Sequence, residues 1–151
     1  MISSQFFVFC DGGARGNPGP AATGFLIKDN KANILVKKGN YIGEATNNVA
    51  EYKAVIKALE WLYQNQSSIS LPVKIRSRQP SIINFYLDSQ LVVNQLNGKF
   101  KIKNSILQGL VIKAKGLENE INASIFYHHI PREKNTEADK LVNQALDIIK
   151  Y

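Results

Sequence analysis

Apolar residues recur along this chain with two different periods, and the alternation between them sets out its elements in order. Phe6 to Cys10 is a near-continuous apolar run, and Ala21–Lys28 and Ile34–Tyr41 follow as strand-like stretches separated by the turn Asp29-Asn30-Lys31-Ala32-Asn33. The first strand is expected over Gln5–Cys10. It runs into Asp11-Gly12-Gly13-Ala14-Arg15-Gly16-Asn17-Pro18-Gly19-Pro20, a stretch expected to be a turn too glycine-rich for a regular element. Three strands joined this closely predict an antiparallel meander. The period then changes. Tyr52, Val55, Ile56, Leu59 and Leu62 recur at helical spacing up to Tyr63, after the capping side chains of Thr46-Asn47-Asn48.

Beyond that helix the pattern predicts a strand over Ile82–Leu87 and a short helix over Ser89–Asn97 stopped by Gly98. A helix over Ser105–Asn119, a strand over Ile121–Ile130 broken by Pro131, and a closing helix over Thr136–Lys150 follow. Gln64–Pro80 has no clear period. Pro72 and Pro80 bracket Val73–Arg78, which reads as an edge strand or an exposed basic loop. The whole pattern describes an α/β fold, a mixed five-stranded sheet flanked by helices.

Composition narrows the class. At 151 residues and 44% apolar content, one soluble domain spanning 1–151 is expected. No run of 18 apolar residues exists, and no basic segment leads into an apolar one at the start, so no membrane span is expected and the cytoplasm is the expected location. The single cysteine, Cys10, lies inside the first strand and reads as a small buried apolar residue. A net charge of +7 favours a polyanionic partner.

Four acids fall at junctions between elements. Asp11 follows the first strand, Glu51 lies early in the first long helix, Asp88 follows the fourth strand, and Asp139 opens the last helix. If the first and fourth strands are parallel neighbours, Asp11 and Asp88 face one another beyond their carboxyl ends. Converging carboxylates repel, and divalent metal relieves that repulsion. Oxygen-only ligands suit Mg²⁺ or Mn²⁺, and a pair of ions about 3.5–4 Å apart is suited to phosphodiester hydrolysis. Each acid also has a plainer reading: Asp139 and Glu51 as complements to a helix dipole, Asp11 as a turn former before Gly12-Gly13, Asp88 as the cap of the helix at Ser89. The chain has only five aspartates, and three of them stand at these junctions.

The segments around the acids, Asp11-Gly-Gly-Ala-Arg-Gly-Asn-Pro-Gly-Pro20, Thr46-Asn-Asn-Val-Ala-Glu51, Leu87-Asp-Ser-Gln-Leu-Val-Val-Asn-Gln-Leu96 and Asn135-Thr-Glu-Ala-Asp139, resemble in order the four blocks of type 1 ribonuclease H. The resemblance covers nearly the whole chain and is greatest to the archaeal-like branch without a basic handle. It implies a ribonuclease H-like fold and an endoribonuclease that hydrolyses the RNA strand of RNA–DNA hybrids, leaving 3′-hydroxyl and 5′-phosphate ends. Asp11, Glu51, Asp88 and Asp139 are the implied ligands of two Mg²⁺, for which Mn²⁺ is expected to substitute. It further implies hybrid contacts at Gly12, Gly13, Asn17, Asn47, Asn48 and Gln90, and a DNA phosphate contact at Thr46. Asn47 reads equally well as a helix cap.

Two departures from the family matter. The segment Pro131–Asp139 leading to the last acid contains no histidine; Arg132 stands there instead, and since arginine cannot act as a base at neutral pH it is expected to bind phosphate or steady the leaving group. His128 and His129 lie within the last strand. The basic handle is also missing, leaving Lys99-Phe-Lys-Ile-Lys103, Lys113 and Lys115, with Arg76 and Arg78 as a substitute grip. A monomer that binds hybrid weakly and in a salt-sensitive way is expected. Two other readings stand beside this one: a relaxed nuclease that also cuts double-stranded RNA, and a non-catalytic nucleic-acid-binding module.

Overall fold

The computed structural model describes residues 4–69, 71 and 80–149. The edge strand or basic loop expected at Val73–Arg78, with Arg76 and Arg78, lies outside them, as does Tyr151. The elements are β1 (Gln5–Ala14), β2 (Gly19–Asp29), β3 (Ile34–Ala45), α1 (Asn47–Gln64), β4 (Ser81–Leu87), α2 (Gln90–Leu96), α3 (Ser105–Asn119), β5 (Ala123–His129) and α4 (Thr136–Asp147), with a 3₁₀ turn at Arg132–Lys134. The strands form one sheet in the order β3-β2-β1-β4-β5. The first three pair antiparallel, whereas β4 runs parallel to both β1 and β5. This is the mixed five-stranded sheet that the apolar pattern predicts.

Alternation along the strands divides the sheet between its two covers. Phe6, Val8 and Cys10 of β1 and Phe25 and Ile27 of β2 point to one face, where they join Tyr52, Val55, Leu59 and Leu62 of α1 in the main core. Ala22 of β2 points to the other face and meets Val142, Ala145 and Leu146 of α4. Cys10 is buried, as its place in the run implies. Ion pairs between Lys28 and Glu137 and between Arg15 and Asp147 also span the seam between sheet and α4.

Five expectations are corrected. The glycine-rich stretch does hold regular structure: β1 continues to Ala14, with Gly12 paired to Thr23 and Gly13 to Ala22, and the turn begins only at Arg15. The partner strand supplies the order that the glycines themselves do not. β3 runs on to Ala45 by absorbing two register shifts against β2. The closing helix stops at Asp147, and β5 starts at Ala123. Finally, Thr46 caps α1, its hydroxyl accepting from the Val49 amide at 3.2 Å, so Asn47 is the first helical residue and not the cap.

Two glycines, Gly24 of β2 and Gly39 of β3, set how closely α4 approaches the sheet. A Cβ on Gly24 would lie 2.5 Å from the Ala138 carbonyl oxygen and 2.9 Å from Leu141 Cβ, well inside normal contact. Gly24→Ala is therefore expected to destabilise the fold by about 1–3 kcal/mol through displacement of α4. Urea unfolding of the two proteins measures this, and equal midpoints would mean that α4 is not held at this distance.

Candidate active site

The register that pairs Phe9 with Tyr86, continued two residues, sets Asp11 beside Asp88 at the carboxyl ends of parallel neighbours. Strand alternation turns Cys10 toward α1 and Asp11 toward the face that α4 covers. Glu51 comes in from the second turn of α1, and Asp139 from the first turn of α4. Oxygen atoms of Asp11, Glu51 and Asp88 all lie within 4.8 Å of one another. Asp139 stands close enough for its charge to act on the Asp11 carboxyl group. The facing of Asp11 and Asp88 is thus as the strand order implies, and all four sequence-marked acids meet.

The plainer readings of two acids give way. Ser89, not Asp88, caps α2, accepting from the Val92 amide at 3.3 Å. Asp11 lies within a strand and forms no turn. Asp139 does lie in the first turn of α4, where the helix dipole favours an anion, so for this residue both descriptions hold.

Close approach has an electrostatic cost. Burial, then the charges of Asp88 and Asp139, push the Asp11 carboxyl up to about 8. Burial, then Asp11 and Asp88, push Glu51 to about 8 as well, against a hydrogen bond from Ser89 and the charge of Arg132. Burial, then the charges of Asp11 and Glu51, raise the Cys10 thiol, which keeps it inert. A half-buried all-oxygen donor set this compact, with protons held by groups that are ordinarily ionised, is chemically matched to a hard divalent cation.

Local geometry explains how the acids are held. Gly12 abuts the backbone of Ala50 and Glu51 so closely that a Cβ there would overlap it, and this contact brings α1 onto β1 beside the site. The Asn47 side chain accepts from the Ala14 amide at 2.9 Å, while the Asn17 side chain accepts from the Asn47 amide at 2.9 Å. These two amides strap the β1–β2 turn to the start of α1. Their carbonyl oxygens are used, and each NH₂ group remains as a donor toward solvent. Gln90 is exposed, Thr46 and Asn48 are half-buried, and Gly13 is partly exposed along the same rim. Arg132 is exposed in the 3₁₀ turn, near enough to Glu51 for its charge to act there. His128 lies outside the cluster: its Nε2 is 2.8 Å from Asn84 Oδ1, and its ring stacks on Tyr86.

Asn135 is a site residue that pattern reading passed over. It is buried, and its side-chain amide donates to the Cys10 carbonyl at 2.8 Å, one residue before Asp11. Its own carbonyl accepts from the Asp139 amide at 3.1 Å. One residue thus ties the first acid to the last. The only sequence signal is a polar residue just before a helix, which looks like an ordinary cap.

A mixed sheet that brings acids from two parallel strands and two helices to one end is the ribonuclease H-like fold. A family model described as reverse transcriptase-like matches residues 9–145. A ribonuclease H1 isolated from compost by a metagenomic approach is 41% identical, with 95% of this chain and 96% of that one aligned at a TM-score of 0.83. Its structure in complex with an RNA/DNA hybrid aligns at 0.82 with 42% identity, covering 94% of this chain and 96% of that one. Ribonuclease H1 from Halobacterium salinarum is 34% identical, with 96% and 99% of the chains aligned at 0.82. A bifunctional protein of Mycobacterium tuberculosis is 37% identical over 138 residues, 91% of this chain, which spans only 34% of that relative's length. The chain belongs to the type 1 ribonuclease H family.

Because Asp11 and Glu51 hold protons more tightly folded than unfolded, raising the pH from about 5 to about 8 is expected to lower the stability of chelator-treated protein. Excess Mg²⁺ should restore it, increasingly so at high pH, and Asp11→Asn should flatten the profile. Thermal unfolding across that range measures all three. A stability that rises with pH in chelator would contradict the repulsion described.

Proposed function

We propose that this chain is an endoribonuclease that hydrolyses the RNA strand of RNA–DNA hybrids, leaving 3′-hydroxyl and 5′-phosphate ends. The observation that carries this reading is the convergence of four acids from four distant segments, three of them with oxygen atoms within 4.8 Å. The fold supports it too, since a relative on that fold was solved with a hybrid bound.

In this reading Asp11, Glu51, Asp88 and Asp139 hold two Mg²⁺, with Mn²⁺ able to replace them. Ions at such a site supply an activated water on one side of the phosphodiester and charge stabilisation on the other. The residues of the chain do the rest. Ser89 and Arg132 favour the ionised form of Glu51, the form that binds metal. Arg132, permanently protonated and exposed, contacts phosphate and steadies the leaving oxygen. The NH₂ groups of Asn17 and Asn47, with Asn48, Gln90 and the backbone at Gly12 and Gly13, form a minor-groove rim where amides reach base edges and the 2′-hydroxyl. Thr46 donates its hydroxyl to a DNA phosphate.

All four acids come from one chain, which supports action as a monomer. Among the described residues no helix is long and apolar enough to cross a membrane, which agrees with the cytoplasmic location we assign.

End-labelled hybrid, RNA duplex and DNA duplex, each incubated with Mg²⁺, Mn²⁺ or chelator, test the proposal. Metal-dependent cutting of the RNA strand of the hybrid is expected, and cutting of the RNA duplex measures strictness. Asp11→Asn and Asp88→Asn should each abolish cleavage and leave hybrid binding largely intact; undiminished activity in either would rule out the two-metal assignment.

A further inference from the structure

Away from the acids, α1 presents a second polar surface. Lys53 and Lys57 stand one turn apart on its outer flank and line a groove of about 360 Å³, together with Tyr41 and Ile42 of β3 and Leu110 and Lys113 of α3. A second depression shares Lys57 and Glu60 and continues past Trp61 to Lys38 and Asn40 of β3. The two form one trough across α1, with four lysines against a single acid, Glu60. Lys53 and Lys57 are half-buried, and among the described residues none of the four lysines forms an ion pair. At the α4 cover of the sheet, by contrast, cations do find partners, as Arg15 and Lys28 do. Four lysines lining one trough against a single carboxylate leave an excess of positive charge suited to an extended anion.

The trough opens on the same helix that carries Glu51. Lys53 follows Glu51 by two residues and Lys57 by six, so the lysines stand about 3–9 Å farther along the same helix axis, on another flank. Tyr41, 45% exposed, adds a flat apolar surface beside the lysines. We infer that Lys53, Lys57 and Lys113, between α1, α3 and β3, bind the phosphate backbone of a nucleic-acid duplex where it extends beyond the segment seated on the acids. The identity of the ligand rests on the function proposed above; the existence of an anion site rests on the lysines alone.

The test compares a short hybrid that covers only the acids with one several turns long, both bound in chelator so that nothing is cut. For the triple variant K53Q/K57Q/K113Q, affinity for the long hybrid should fall about tenfold or more near 0.1 M salt, and the slope of log affinity against log salt should become shallower by about 2–3. Binding of the short hybrid, and its cleavage once Mg²⁺ is supplied, should be unchanged. The arginine triple K53R/K57R/K113R should retain wild-type binding, which separates charge from folding. A wild-type salt slope in the glutamine triple, or an equal loss on short and long hybrids, would overturn the inference. Failure of the nuclease reading looks different: the unaltered chain would cut no hybrid at all, while the difference in salt slope would remain.

Discussion

Repulsion among carboxylates that cannot move apart is the constraint on which the rest of this structure depends. Asp11 is buried, and Glu51 and Asp88 bring oxygen atoms within 4.8 Å of it, so in the absence of a cation two of the acids retain protons up to about 8. A flexible protein would relieve this by letting the side chains separate. Here the backbone denies that escape, because each acid is fixed on or directly beside an element that is itself packed. The strain is therefore stored as a demand for positive charge.

The features that enforce this crowding are small and local. Gly12 lets the backbone of α1 lie directly against β1, and Gly24 lets α4 lie directly against β2. The Asn17–Asn47–Ala14 strap fixes the first turn to the start of α1, and Asn135 fixes the start of α4 to β1. Each is a contact in which a slightly larger or less polar residue would let two acids drift apart. Preorganisation here is a matter of backbone proximity more than of side-chain rotamers.

Much of this could be read in the sequence. The order of elements follows from apolar period, and the acids announce themselves because a carboxylate at the carboxyl end of an apolar strand is rarely there for packing. What the sequence hides is whatever depends on a distant partner. Gly12 and Gly13 look like a turn in isolation and become strand only because β2 pairs with them. Asn47 looks like a cap, yet its side chain serves Ala14, 33 residues earlier. Asn135 also looks like a cap, and its partner is 125 residues away. The lysine trough draws on three elements, so no window of sequence contains it.

The bond from Asn135 to Cys10 also bears on the order in which the chain is made. Synthesis proceeds from the amino end, so Asp11, Glu51 and Asp88 all emerge before α4 exists, and the cluster lacks both its fourth acid and the clasp that positions it. The growing chain therefore carries a half-built cluster of acids until the helix that bears Asp139 has formed. Completion comes only when the last helix leaves the ribosome and docks, which couples the capacity to bind metal to the arrival of the final element of the fold.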